Sequence, residues 1–246
     1  MPIAAPLTSA QLRELINQNE KEQLRRDRLF IPFGGRRAEL LNQLRDKVIE
    51  FIVDEQAALN GALVLDYGCG IQPYASGFQI VKAQIVGADI GKNVDAQVEI
   101  SGQNQLPFME GSFDFVISFQ VLEHIPIPEE YINECYRVLK TGGKIFLTTH
   151  GLYPYHPTPG DFHRWTRTGL IQDLERGGFR TIYTKSILNE YSALIQSYVM
   201  TFDFNKRFRR FSKIYHFLAH VLIKQCERYK KRMPEIPGII VYCGTK

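Results

Sequence analysis

The chain has 246 residues, of which 44% are hydrophobic and 23% charged, and a formal net charge of +4. This length suits one domain of Rossmann size with additions, and no apolar run approaches the roughly 18 to 20 residues of a membrane-spanning helix. The four cysteines show no paired spacing, so neither a disulfide framework nor a metal site is predicted. The first residues lack the basic-then-apolar pattern of a secretory signal, which predicts a cytoplasmic protein.

An N-terminal helical extension is predicted over residues 1–58, because apolar side chains recur at helical spacing from residue 9 onward. Two helices are expected, separated by Ile31-Pro32-Phe33-Gly34-Gly35. The second helix should cover one face of the following sheet. The first could form a flap over a ligand or pack as a surface helix.

The apolar run Ala62-Leu63-Val64-Leu65 ends at Asp66 and is followed by Gly68 and Gly70. Such a run predicts a buried parallel strand. Glycine tolerates positive φ and has no side chain to hold a ligand away, so the pattern predicts the nucleotide-binding corner of a doubly wound sheet. Pro73 stands where a dinucleotide-binding turn has its third glycine, and Asp66 would repel a pyrophosphate. Asp66 instead suits a ligand with an ammonium group, as S-adenosylmethionine has.

Three further motifs follow in order. Residues 85–90 predict a second strand that ends near Asp89, where a carboxylate can accept both ribose hydroxyls of a nucleoside. Residues 113–118 predict another buried strand, followed by Leu122-Glu123-His124-Ile125. A helix over residues 129–139 then leads into the next strand.

With these motifs the chain resembles the class I S-adenosylmethionine-dependent methyltransferases, specifically the type 11 group, over about residues 60 to 180. The resemblance implies a Rossmann-like α/β fold with a seven-stranded, mostly parallel sheet. The last strand would be antiparallel, a place that residues 238–243 could fill. A methyltransferase domain over residues 59–246 is therefore predicted, with S-adenosyl-L-methionine as cofactor and S-adenosylhomocysteine as second product.

The resemblance also implies which residues bind the cofactor. Backbone N–H groups after Gly70, at the start of a helix, are expected to hold the methionine carboxylate, and Asp66 the ammonium. Asp89 is expected to hold the ribose hydroxyls, with a strand-ending cap as the structural alternative. Ile90 should pack on the adenine, and Gln120 should face the methionine portion.

The adenine end of this predicted site departs from the family pattern. Many relatives have an Asp four residues before the Leu-Pro-Phe motif, where this chain has Gly102. Gln103 or Asn104 could accept the adenine amine instead. The complete predicted cofactor set is Asp66, Gly68, Gly70, Asp89, Ile90, Gln103, Asn104 and Gln120.

Methyl transfer from a sulfonium mainly requires alignment of the reactants, and a base is needed only when a hydroxyl acceptor must lose its proton. His124, His156 and His163 are predicted in loops at the C-terminal ends of strands, where open α/β sheets bind ligands. His124 belongs to the Leu-Glu-His motif, so a structural role is as well supported as a catalytic one. These three histidines and Asp161 are the candidate catalytic residues.

The loop that contains Tyr155 to Thr166 is stiffened by three prolines between residues 154 and 159. The spacing of Asp161, Arg164 and Thr166 resembles an Asp-x-x-Arg-x-Thr loop. That loop is found in type 11 methyltransferases that act in polysaccharide and glycolipid biosynthesis. The resemblance implies a glycan or lipid-linked sugar acceptor, contacted by Tyr155, Arg164 and Trp165. An Asp161–Arg164 salt bridge and a core position for Trp165 are the structural alternatives.

A helical cap insertion is predicted at about residues 188–237, between the sixth and seventh strands. Two apolar stripes are predicted on its helices. The first stripe is Leu194, Ile195, Tyr198 and Phe202. The second is Phe208, Phe211, Tyr215, Leu218 and Leu222. Residues 205–232 hold ten Lys or Arg and one acid, which leaves 20 bases and 25 acids elsewhere. This segment, with its basic Lys206, Arg207, Arg209, Arg210 and Lys213, could dock peripherally on anionic membrane lipids, follow a nucleic-acid backbone or form a solvated face. The helical spacing of the aromatics, without a recognisable RNA-binding module, favours a membrane over nucleic acid.

Taken together, the sequence predicts a methyltransferase that O-methylates a sugar hydroxyl in the cytoplasm or at the inner membrane surface. Methylation of RNA or of a small metabolite is one alternative. A methyltransferase-like protein that binds the cofactor without turnover is another, suggested by Gly102 and by the lack of a compelling base.

Overall fold

The computed structural model describes residues 7–18, 37–100, 105–203, 212–228 and 236–246. The strands are β1 (Leu63–Tyr67), β2 (Gln84–Ile90), β3 (Val98–Ile100), β4 (Phe113–Phe119), β5 (Leu139–His150), β6 (Arg180–Ile187) and β7 (Ile239–Thr245). The helices are α1 (Ser9–Gln18), α2 (Ala38–Asp54), α3 (Gln56–Leu59), α4 (Ala75–Ile80), α5 (Pro128–Val138), α6 (Arg167–Arg176), α7 (Glu190–Asp203) and α8 (Ser212–Arg228), with a 3₁₀ helix at Leu122–His124. The predicted break at residues 31–35 lies outside the described residues.

The strands form one seven-stranded sheet in the order β3-β2-β1-β4-β5-β7-β6. The first five of these are parallel, whereas β7 runs antiparallel to both β5 and β6. The predicted Rossmann-like sheet with an antiparallel last strand is therefore confirmed. Because the chain reverses direction across the sheet between β1 and β4, a crevice is expected at the C-terminal ends of these strands.

Aromatic side chains pack helices against both faces of the sheet. On one face, Phe51 of α2 stacks on Phe146 of β5, with 4.2 Å between ring centroids, and meets Phe115 edge-on at 6.1 Å. On the other face, Tyr67 of β1 stacks on Tyr131 of α5 at 4.2 Å. Burying one such ring contributes about 1.5–3 kcal/mol to the stability of the fold. These contacts therefore hold α2 and α5 on opposite faces of the sheet.

Helix α6 begins and ends at residues that suit a helix boundary. The Thr166 hydroxyl accepts a hydrogen bond from the Gly169 N–H at 3.0 Å, so Thr166 is the N-cap. Gly177 and Gly178 follow the last turn, and Gly178 has a φ of 94°, which a residue with a side chain rarely adopts.

The described part of the insertion between β6 and β7 contains α7 and α8, and several residues of the predicted stripes face outward there. Leu194 and Tyr198 of α7 are 54% and 67% exposed, and Leu218 and Leu222 of α8 are both 55% exposed. The buried side of the two helices is formed by Ala193, Val199, Met200, His216, Ala219, His220 and Ile223. Residues 204–211 and 229–235 of the predicted cap lie outside the described ranges. Of the helices that the structure describes, none has the length and hydropathy to cross a membrane.

Candidate active site

A cavity of about 690 Å³ opens at the C-terminal ends of β1, β2, β4 and β5. Small-molecule sites usually have volumes of roughly 300–1,000 Å³, and this one lies at the predicted switch point of the sheet. Carboxylates from β1 and β2 line one part, and histidines that follow β4 and β5 line another. The wall also includes apolar residues of α2, namely Leu40, Leu41 and Leu44.

Two glycines shape the turn after β1. Gly68 has a φ of 77°, and a Cβ placed on it would lie 2.5 Å from Val121 Cγ2, so a side chain would collide there. Gly70 has a φ of 51°, and no atom lies within 4 Å of its hypothetical Cβ. Gly68 therefore permits close packing behind the turn, and Gly70 leaves the cavity open in front of it.

The helix that was expected to start directly after Gly70 starts later, which corrects the predicted methionine-carboxylate site. Helix α4 begins at Ala75 and has six residues. Gln72 has a φ of 50°, its N–H donates to the Cys69 carbonyl at 2.8 Å, and its side chain donates to Gln97 at 3.3 Å. Because Gln72 is held against β2 in this way, the N–H groups after Gly70 belong to a turn and not to a helix start.

Asp66 is a buried carboxylate on the cavity wall, with 2% of its surface exposed. Among the described residues, no Lys, Arg or His forms an ion pair with it. Burial, and then the negative charge of Asp89, raise the pKa of Asp66 to about 7. A cationic group in the cavity would lower the cost of ionising this carboxylate, so Asp66 fits the ammonium of S-adenosylmethionine.

Asp89 ends β2 and holds the glycine turn in place. Its Oδ2 accepts hydrogen bonds from the Gly70 N–H at 2.9 Å and from Asn93 Nδ2 at 2.6 Å, and its Oδ1 accepts one from the Ile90 N–H at 2.8 Å. Asp89 thus makes the contacts of a strand-ending cap and also lines the cavity. Ile90 lines it too and is 54% exposed, so its side chain is available to a ligand.

Gln120 lies on the cavity wall just after β4, with a φ of 59°. Its Nε2 donates to the Thr148 hydroxyl, and its backbone N–H donates to the Thr148 carbonyl, both at 2.9 Å. These bonds to β5 hold Gln120 at the predicted position. Gln103 and Asn104, the predicted adenine acceptors, lie outside the described residues.

His124 and His156 are the predicted catalytic histidines that the structure places on the cavity wall. Their ring centroids are 5.7 Å apart. His124 Nδ1 is hydrogen-bonded to the Gly160 carbonyl, and since a carbonyl only accepts, Nδ1 carries the proton and Nε2 is the basic nitrogen. For His156, burial and then the nearby His124 lower the pKa, so His156 is neutral at pH 7 and able to accept a proton.

Asp161 and Arg164 form the ion pair that was the structural alternative. Arg164 donates to both carboxylate oxygens of Asp161, at 2.5 and 2.6 Å, and to the backbone carbonyls of Tyr153 and Pro154 at 3.0 and 2.9 Å. Asp161 also accepts the His156 N–H at 2.6 Å. The ion pair is the main reason why the pKa of Asp161 falls to about 2. Both residues lie behind the cavity wall, where they fix the loop that carries His156.

Three other predicted residues also lie away from the cavity wall. Trp165 is 7% exposed, belongs to the core and donates through Nε1 to Asp173 at 3.0 Å. His163 Nε2 lies 3.2 Å from the Pro126 carbonyl oxygen, and Tyr155 is 70% exposed. The loop therefore reaches the cavity through His156, Thr158 and Pro159.

A buried pair of residues on the wall, Glu123 and His150, was not among the predicted site residues. Glu123 Oε2 accepts a hydrogen bond from the Thr149 hydroxyl at 2.7 Å, and Glu123 Oε1 lies 3.3 Å from His150 Nε2. Burial raises the pKa of Glu123 to about 7 and lowers the pKa of His150 well below its usual value. The His150 ring stacks on Tyr153 at 3.8 Å. A polar residue at the end of the apolar run in β5 is a signal that could have identified His150, since Asp66 and Asp89 follow the same pattern.

No cluster of His, Cys, Asp or Glu within the described part of the chain is arranged to hold a metal ion. The site is therefore described by its glycine turn, its two strand-end carboxylates and its histidines.

Part of the chain is similar to known methyltransferases. Residues 65–147 match the family model described as a methyltransferase domain, of type 11. Over 111 residues the chain is 32% identical to the ubiquinone biosynthesis O-methyltransferase of Pseudomonas paraeruginosa, an alignment that covers 39% of this chain and 48% of the relative. The chain thus spans about half the length of the curated relatives it matches.

Solved structures share the fold over a longer range. The [4+2]-cyclase SpnF is 18% identical, with a TM-score of 0.57, and the match covers 97% of this chain and 96% of that one. A Haemonchus contortus phosphoethanolamine N-methyltransferase, solved with S-adenosylhomocysteine, is 16% identical, with a TM-score of 0.50 over 89% of this chain and 61% of that one. At these identities the likeness shows the fold.

The chain thus contains a segment that matches a methyltransferase-domain model, within a fold that it shares with solved methyltransferases. Its matched segment runs from β1 to the apolar part of β5 and includes the glycine turn, Asp89, Gln120 and His124. His150, His156 and the wall formed by α2 lie outside that segment.

Proposed function

We propose that this protein is an S-adenosylmethionine-dependent methyltransferase that methylates a hydroxyl oxygen. The observation that carries the proposal is one continuous cavity, lined both by the strand-end carboxylates Asp66 and Asp89 and by His124 and His156. The O-methyltransferase named among the relatives supports oxygen as the acceptor atom.

The cofactor end would be formed by residues of β1, β2 and β4. Asp66 would pair with the ammonium group, Asp89 would accept from the ribose hydroxyls, and Gln120 would face the methionine portion. When bound, S-adenosylmethionine supplies an electrophilic methyl group and leaves as S-adenosylhomocysteine. The apolar Ile90 would cover the adenine, and the open face of Gly70 would leave room for the ligand backbone.

The acceptor end would be formed by the histidines. Nε2 of His124, whose tautomer is set by the Gly160 carbonyl, would accept the proton of the acceptor hydroxyl, with His156 as the second candidate base. Removing that proton raises the nucleophilicity of the oxygen, and such a base contributes typically 10²–10⁴-fold to the rate. Glu123 and the stacked Tyr153 would hold His150 in place beside them.

For the acceptor itself, we propose a sugar hydroxyl of a glycan or lipid-linked intermediate. Support comes from the Asp-x-x-Arg-x-Thr loop, which brings His156, Thr158 and Pro159 to the cavity wall. The Asp161–Arg164 pair and the Thr166 cap have structural contacts of their own, so the loop would act by positioning its wall residues. The apolar Leu40, Leu41 and Leu44 would suit a lipid-linked acceptor.

A second candidate function is suggested by the relatives and by the fold. The ubiquinone biosynthesis enzymes among the relatives favour a small metabolite as acceptor. The shared fold of a [4+2]-cyclase means that the sheet by itself does not establish methyl transfer. If no acceptor is methylated, the conclusion would be that the protein binds the cofactor and transfers no methyl group.

We further propose peripheral contact with anionic membranes on the cytoplasmic side. Helix α8 exposes Ile214, Phe217, Leu218, Val221 and Leu222, which share one face at helical spacing. Residues 205–232, which include this helix, hold ten basic residues and one acid. Apolar side chains beside basic ones match a lipid interface.

Sedimentation with vesicles tests this contact. Binding should be stronger to phosphatidylglycerol vesicles than to phosphatidylcholine vesicles, and Leu222→Glu should weaken it. Met109→Glu, at a residue that is 83% exposed outside this helix, is the matched control. Equal binding by both variants would contradict membrane contact through α8.

Calorimetric titration with S-adenosylmethionine is the first test of the proposed function. Asp89→Ala should weaken binding at least tenfold, because a hydrogen bond to a charged group is worth about 1.5–3 kcal/mol. Asn93→Ala is the matched control: Asn93 donates to Asp89 and to the Gly70 carbonyl, at 2.6 and 2.7 Å, so its loss loosens the turn while the carboxylate remains.

Methyl transfer is then assayed with lipid-linked sugars and with intermediates of ubiquinone biosynthesis. His124→Gln should lower kcat more than it changes the affinity for the cofactor. Cofactor binding without any methylated product would support the non-transferring alternative, and a lack of cofactor binding by the intact protein would refute both.

A further inference from the structure

Arg37 is a cavity residue that the proposed function leaves without a role. It lies directly before α2, outside the segment that matches the family model, yet it lines the same cavity as His124 and His156. Its backbone has a φ of 58°, a left-handed conformation that costs a residue with a side chain roughly 1–2 kcal/mol. Such an unfavourable conformation is often kept where a side chain has to be aimed at a functional site.

Among the described residues, the Arg37 side chain has one hydrogen-bond partner. Its Nη1 donates to the Tyr153 hydroxyl at 3.2 Å, and its Nε is buried without a hydrogen-bond partner. Within the described part of the chain, no carboxylate forms an ion pair with it. Arg164, by contrast, uses all five N–H donors, two on the carboxylate of Asp161 and three on backbone carbonyls. A guanidinium has five N–H donors in a planar fork, so Arg37 retains the donors that a carboxylate or phosphate would accept.

The surroundings of Arg37 favour an anion over a cation. Arg37 contributes, after burial and His124, to lowering the pKa of the neighbouring His156, so the positive charge of Arg37 acts on this part of the cavity. Asp66 and Asp89 end β1 and β2, whereas Tyr153, which Arg37 contacts, follows β5. The sheet order therefore separates these two carboxylates from Arg37.

We propose that Arg37 binds an anionic group of the acceptor, a carboxylate or a phosphate, beside the hydroxyl that loses its proton to a histidine. This inference rests on the proposed function, and it narrows the acceptor to an acidic sugar or a sugar phosphate. The adjacent Leu40, Leu41 and Leu44 would contact apolar parts of the same acceptor.

Three forms of one sugar distinguish the possible anions. Galactose, galacturonate and galactose 1-phosphate are titrated into protein saturated with S-adenosylhomocysteine. Either anionic sugar, or both, should bind at least tenfold more tightly than galactose, and the one that binds better identifies carboxylate or phosphate as the recognised group. Arg37→Gln should remove that preference, and Arg37→Lys should keep part of it, because Lys retains the charge without the fork.

The matched control is Arg176→Gln, at an arginine whose side chain is 69% exposed on α6, and it should keep the full preference. Unchanged affinity of Arg37→Gln for S-adenosylhomocysteine shows that this variant is folded. An equal affinity for all three sugars, no detectable binding of either anion, or a preference that survives Arg37→Gln would overturn the proposal. If the intact protein fails to bind S-adenosylhomocysteine yet prefers the anions through Arg37, the proposed function fails and the anion site stands.

Discussion

The buried carboxylate of Asp66 should make cofactor binding depend on pH. If the ammonium of S-adenosylhomocysteine binds the ionised form, the apparent Kd follows the ionised fraction of a group whose pKa is raised to about 7 by burial and by Asp89. That fraction is roughly a tenth at pH 6 and roughly three quarters at pH 7.5. Affinity should therefore increase roughly eightfold between these pH values, which corresponds to about 1 kcal/mol.

Isothermal titration calorimetry at the two pH values measures this change. Asp66→Asn keeps the shape of the side chain and removes its charge, so this variant should bind more weakly at pH 7.5 and with little dependence on pH. 5′-Methylthioadenosine shares the nucleoside and lacks the ammonium, so it serves as the control ligand. An eightfold change that persists in Asp66→Asn, or that methylthioadenosine shows equally, would refute the role given to Asp66.

The same carboxylate should affect stability with the opposite sign. Its pKa in the folded protein is raised above the unfolded value of 3.8 to about 7, so the folded state holds a proton that the unfolded state has lost. The free energy of unfolding therefore decreases as pH rises from about 4 to 7, by roughly 4 kcal/mol for three pH units. Without ligand, Asp66→Asn should be more stable than the natural protein at pH 8, and the difference should be small at pH 4.

Three further predictions concern residues around the site. Glu123→Gln should raise the free energy of unfolding at pH 8 by up to about 3 kcal/mol, because burial raises the Glu123 pKa from 4.5 to about 7. In urea titrations this gain in stability should shrink at pH 5, and a gain independent of pH would contradict the prediction. Gly68→Ala should lower the melting temperature and weaken S-adenosylhomocysteine binding, because the new Cβ would lie 2.5 Å from Val121 Cγ2 and the residue has a φ of 77°. An unchanged affinity by calorimetry would show that the turn tolerates a side chain. Thr166→Ala should destabilise the protein by about 1 kcal/mol through loss of the N-cap bond to Gly169, whereas Thr166→Ser should preserve stability in the same denaturation assay.

Local sequence signals predicted the sheet well because its strands and the glycine turn after β1 are encoded by short segments. The apolar run before Asp66 and the glycines after it define a strand and a turn within nine residues. The Thr166 cap and the Gly177 stop are likewise local, and the structure has both.

The acceptor end depends on contacts between distant residues, which a local pattern does not contain. Arg164 has the spacing of a substrate-binding residue, yet its bidentate bond to Asp161 turns it into a support for the loop. Arg37 reaches the cavity only because α2 packs on the sheet and brings it to Tyr153, 116 positions later in the chain. The start of α4 was misplaced for the same reason, since Gln72 is held by Gln97 of another segment.

The antiparallel strand β7 also determines the order in which the sheet can be completed. Strand β6 lies at the edge, with β7 as its neighbour, and β7 follows both helices of the insertion in the chain. During synthesis, β6 therefore emerges well before the strand with which it pairs, and the half of the sheet from β3 to β5 can assemble first. Until residues 239–245 insert between β5 and β6, the unpaired edge of β5 is open to pairing with other chains, so this insertion also removes an edge at which the protein could aggregate.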